Sequence, residues 1–174
     1  MNGTKDVPAD RELADRVARR HLRFGWWSLA GFLSLGIVLE VMHGLKITWY
    51  LDDRNEIRRL MGTLAHAHGT LLALVHVVFG LTVLALPPGG SRWRGVASGC
   101  LMAGSLMLPG GFLLGGLVIY DGDPGLGVFL VPPGAALALV GVLMVALSLG
   151  EVRDRADTGS GAAGPAKRGA RRRR

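Results

Sequence analysis

The chain has 174 residues, 49% of them apolar, with twenty basic and thirteen acidic side chains and a formal charge of +7. The charges gather in the two ends and in a loop near residue 50, which excludes an ordinary water-soluble domain and makes nucleic acid an unexpected partner despite the basic balance. One cysteine, Cys100, excludes an intrachain disulfide or a CxxC metal site. Residues 1–23 read as a cytoplasmic amphipathic segment. Asp10 can cap a helix through RELADRVARRHLRF, whose Leu13, Val17 and Leu22 share a face suited to the inner membrane surface.

Residues 24–149 read as a membrane domain of four spans, each about as long as the hydrocarbon is thick. The first, about 24–44, is FGWWSLAGFLSLGIVLEVMHG; it lacks a small-x-small cleavage pattern and reads as a retained signal anchor. The second, about 60–86, stops at Pro87-Pro88-Gly89-Gly90. The third, about 95–120, contains Pro109-Gly110-Gly111, where a kink is expected. The fourth, about 126–149, should become regular only at Pro132-Pro133. Residues 150–174 are Gly/Ala-rich and end in RGARRRR, the composition of a disordered basic tail held to anionic lipid.

Orientation follows from Lys and Arg. The N-terminal segment holds six, the 87–94 turn two and the C-terminal tail eight, against four in the 45–59 loop and none in the 120–125 turn. The positive-inside rule then puts both termini in the cytoplasm. The fold class is therefore all-α: an integral four-helix bundle, multi-pass in a bacterial inner (plasma) membrane.

The second span is apolar enough to cross lipid yet carries His66, His68 and His76. Ionisable rings in spans are costly and face a bundle interior or a cavity. On a helical wheel Gly62, Gly69, Ala73 and Gly80 form a small-residue stripe, the expected packing face. His66 lies at its edge, with Thr70 nearby. His68 points to a different side, because side chains two apart on a helix diverge. Glu40 and His43 of the first span are three apart and share a face, the Glu-x-x-His spacing by which bundles present ligands to a metal. They match His66 and His68 in depth, whereas His76 lies about 15 Å further inward along the axis.

These residues support two cofactor expectations. A transition metal (iron, copper or zinc) would use Glu40, His43 and His66; haem b would use His43 with His66 or His68. His76 and Thr70 would then be a second layer or an inward polar path. Cys100, Met102 and Met107 are weaker copper candidates, and Gly95, Gly99, Gly111, Gly115, Gly134 and Gly141 suggest close packing or self-association. Asp121-Gly-Asp123-Pro reads as an exposed turn.

Locally, Ala65-His66-Ala67-His68-Gly69 (within about 62–76) resembles the His-x-His helix in catalytic subunits of haem-copper oxygen and nitric-oxide reductases. The resemblance would make His66 and His68 ligands of haem and copper. The chain has too few spans to be such a reductase alone, and no enzyme activity is assigned to it. Two other classes remain beside cofactor binding: a cofactor-free accessory subunit of a homo-oligomer or larger membrane complex, and a small proton-coupled transporter or ion pathway.

Overall fold

In lipid a segment must satisfy its own backbone amides and carbonyls, so long apolar stretches become helices. The structure, a computed structural model, describes residues 6–51, 56–86 and 91–161. Four long helices account for most of them: α1 (Asp6–Gly44), α2 (Ile57–Ala85), α3 (Ser91–Leu117) and α4 (Val131–Gly161). All four contain a stretch long and apolar enough to cross a membrane. The protein is a multi-pass membrane bundle.

The helices alternate in direction, so the start of α1 and the end of α4 lie at one end of the bundle, the terminal end. The α1–α2 and α3–α4 connections lie at the other, the loop end. At the loop end two short strands, β1 (Ile119–Tyr120) and β2 (Asp123–Pro124), pair as a hairpin. Its turn residues Asp121 and Gly122 have φ of 45° and 95°, the left-handed backbone that a two-residue hairpin turn demands and that Asp and Gly tolerate. A 3₁₀ segment (Leu126–Leu130) leads into α4, so regular helix begins near Pro132-Pro133, as the sequence indicates. α3 continues through Pro109 as one element.

Two boundaries differ from the sequence reading. The 1–23 segment is not separate: α1 is a single helix of 39 residues. Nothing between Asp10 and Phe24 breaks a helix, and its Ala14, Ala18 and His21 are buried in the bundle rather than spread on a surface. At the other end α4 continues to Gly161, past the expected start of the tail. The RGARRRR terminus and the Pro87-Pro88-Gly89-Gly90 stop lie outside the described residues.

Small residues set the helix spacing. The predicted stripe on α2 does face α1: a Cβ on Gly62 would lie 3.2 Å from Leu39 Cδ2 and one on Gly80 2.9 Å from Leu22 Cγ, while one on Gly69 would enter the Phe32 ring. Between α3 and α4, a Cβ on Gly134 would lie 2.6 Å from Leu108 N and one on Gly141 2.7 Å from Leu101 Cγ. Gly95 and Gly99, expected to serve close packing or self-association, meet nothing within 4 Å in the bundle. α2 and α3 form the centre, with α1 against α2 and α4 against α3; α1 also reaches α3 at the terminal end. At the loop end Arg58 ties three segments together. Its Nη1 donates to Trp49 O (2.7 Å), its Nε to Gly116 O (3.2 Å), and its guanidinium lies over the Trp49 ring.

Candidate functional sites: an open cavity and a buried histidine chain

The first site is a cavity of about 760 Å³ at the loop end, between α1 and α2. α1 contributes Gly36, Glu40 and His43 to its wall, and α2 contributes Arg59, Thr63 and His66. Glu40 and His43 are exposed and His66 is half-buried. The three residues expected to form a site therefore line one space, as their matched depth indicated. His66 is held firmly. Its Nδ1–H donates to the Phe32 carbonyl (2.7 Å), and its ring lies so close over Gly36 that no side chain would fit there. That bond fixes the tautomer and leaves the Nε2 lone pair free, the arrangement found in histidines that ligate metals. Glu56 and Arg59 form an ion pair of 3.0 Å on the same wall.

His68 is not part of this wall. Its Nδ1–H donates to Leu64 O of its own helix (2.9 Å), and its ring lies 5.1 Å from that of Phe112 on α3. His66 and His68, paired by the His-x-His resemblance, face different helices. The Thr70 hydroxyl is buried and has no hydrogen-bond partner. Cys100, Met102 and Met107 are half-buried along α3. Among the described residues no three His, Cys, Asp or Glu side chains are grouped to hold a metal ion.

The second site involves a residue the sequence reading passed over. His21 of α1 and His76 of α2 are both fully buried (0% exposed), with their Nδ1 atoms 2.6 Å apart. The ring centroids are 4.7 Å apart and the planes differ by 23°. The nitrogens are far closer than the ring centres, so the imidazoles meet edge to edge through one shared hydrogen. The outer nitrogens continue the chain: His21 Nε2 bonds Ser98 Oγ (2.7 Å) and His76 Nε2 bonds Ser105 Oγ (2.8 Å), both serines being on α3. Phe79 packs edge-on against His21, and Phe24 against His76. The result is an unbroken polar line, Ser98–His21–His76–Ser105, tying three helices and walled by aromatic rings. Beyond Ser98 toward the terminal end lies a smaller cavity of about 220 Å³, lined by Arg11, Asp15 and Arg94 among others.

His76 was expected only as a second layer or part of a path; it is central to this chain. A signal for His21 did exist. Ala14, Ala18, His21 and Gly25 follow one another at steps of four, three and four, a buried helix stripe. It was hidden by starting the first span at Phe24.

Comparison with protein families, curated proteins and solved structures finds no match for this chain.

Proposed function

We propose that the protein binds a b-type haem in the loop-end cavity, where the imidazoles of His43 and His66 would hold it. The observation that carries this reading is that one cavity of about 760 Å³ is lined by both imidazoles, one of them oriented by a backbone carbonyl. The volume falls in the range of organic ligand sites, about 300–1,000 Å³. It is far larger than a bare ion needs. A single iron, copper or zinc ion on Glu40, His43 and His66 is the poorer form of the same idea, because these groups are not gathered around one point. Arg59 on the wall suits a cofactor carrying carboxylates. Held by two imidazoles, such a haem would supply electron transfer rather than substrate chemistry. With both termini cytoplasmic, as the distribution of basic residues indicates, the haem lies near the outer face of the inner membrane, and the basic C-terminal tail meets anionic lipid.

The absorption spectrum of the purified full-length protein tests this. A haem Soret band is expected, lost in His66→Ala and in His43→Ala and retained in His68→Ala. Elemental analysis that finds metal without porphyrin would select the ion instead. A folded, colourless, metal-free protein would overturn cofactor binding and leave an accessory membrane subunit.

A further inference from the structure

Ser98–His21–His76–Ser105 has a property that simple helix glue does not require. The chain is complete in two opposite polarities with every heavy atom in place. In one, Ser98 O–H donates to His21 Nε2, His21 Nδ1–H donates to His76 Nδ1, and His76 Nε2–H donates to Ser105 Oγ. In the other, each hydrogen sits on the opposite partner. Contacts of 2.7, 2.6 and 2.8 Å are all short enough for transfer.

We propose that this chain is a proton relay that carries protons between the cavity at the terminal end and the cavity at the loop end. The balance is simple. A proton arriving on Ser98 Oγ sends that hydroxyl's own hydrogen to His21 Nε2. The bridging hydrogen then crosses to His76 Nδ1, the Nε2 hydrogen of His76 passes to Ser105 Oγ, and Ser105 releases its original hydrogen onward. One proton enters and one leaves; no charge remains on the chain, and its polarity is reversed. Rotation about Cβ–Cγ does not exchange Nδ1 with Nε2, so the first polarity returns when each ring takes a proton from water on its bare nitrogen and yields the hydrogen on its other nitrogen to water, a step that sets the turnover rate.

The positions of the polar groups support passage along the bundle. At 1.5 Å per residue, Ser98 lies about 10 Å from the terminal end of α3 and Ser105 about 21 Å; on α2, His76 lies about 14 Å from that end, Thr70 about 22 Å and His66 about 28 Å. Thus Thr70 sits at the depth of Ser105, and His66 opens into the loop-end cavity. The buried Thr70 hydroxyl has no hydrogen-bond partner, which leaves its donor and acceptor capacity uncommitted at this depth. At the entrance, Arg94 is one helical turn from Ser98 and lines the terminal cavity with Asp15 and Arg11. Arg20 on α1 acts electrostatically on both rings, and this cation favours a chain neutral between transfers.

The test is proton flux into liposomes containing the full-length protein as purified, driven by a potassium diffusion potential and read with an internal pH dye. Flux above protein-free liposomes is expected. It should fall to that background in His76→Gln and His21→Gln, which keep hydrogen-bonding capacity but cannot pass a proton through a ring. Ser105→Ala, the smallest change, covers the case in which a glutamine variant fails to fold; it too should abolish flux. Nitrogen-15 spectra of the wild type should show both histidines exchanging between tautomers. Background flux in the wild type, flux unchanged in Ser105→Ala, or a single fixed tautomer at each ring would each overturn the relay. Because haem plays no part in the relay, its failure leaves the cavity reading untouched.

Discussion

The loop-end cavity and the buried histidine chain use the same side chain in opposite ways. In the chain, both nitrogens of each ring are satisfied by protein, at 2.6 to 2.8 Å, and both rings are excluded from surroundings other than protein. In the cavity, His66 spends one nitrogen on a carbonyl and keeps the other available, while His43 and Glu40 are exposed. The contrast shows what burial decides. A fully satisfied imidazole holds helices together or hands on a proton, and only an imidazole with a free lone pair can take a ligand.

The largest effect that can break this comparison is on stability. His76→Ala removes two hydrogen bonds, strands His21 and Ser105, and opens a hole beside Phe24; it should cost about 2–4 kcal/mol, read as a lower thermal midpoint in detergent. Compared in haem-free protein, His43→Ala should leave that midpoint unchanged, since the ring is exposed. Equal losses in the two variants would erase the distinction.

Next come the glycines of the α1–α2 seam. A Cβ on Gly36 would enter the His66 ring, and one on Gly69 the Phe32 ring. Alanine at either should cost about 1–3 kcal/mol, with Gly36→Ala also reducing cofactor content by displacing His66. Gly31→Ala, which meets nothing within 4 Å, is the control and should be neutral or slightly stabilising by thermal unfolding.

The smallest effect sharpens the assignment within the His-x-His pair. His68→Phe gives up one bond to its own helix and keeps an aromatic contact with Phe112. It should shift stability by less than about 1 kcal/mol and leave the absorption spectrum unchanged. Loss of the Soret band in this variant would transfer the ligand role from His66 to His68.

Much of the first site was legible in the sequence. Glu40, His43 and His66 share a cavity because antiparallel helices bring the end of one span level with the start of the next, and depth follows from counting residues. The small-residue stripe likewise located the α1–α2 seam. The second site was not read. His21 sits among arginines, where hydropathy ends a span, yet the helix does not end there. A run of charges on one side of a helix hides a buried stripe on the other when only average polarity is weighed.

By itself the sequence determined four helices and their alternation, because hydrocarbon permits little else and the apolar runs are of spanning length. It also determined which side of α2 would be close-packed, because only glycine and alanine allow backbones to approach. What the tertiary structure alone decided was which nitrogen of which histidine meets a partner. His21 and His76 are 55 residues apart in the chain, and their contact depends on how α1 is rotated against α2 and α3. Helical periodicity names the candidates on each face, but a hydrogen bond forms or fails within fractions of an ångström, and that scale is set only when the three helices are packed together.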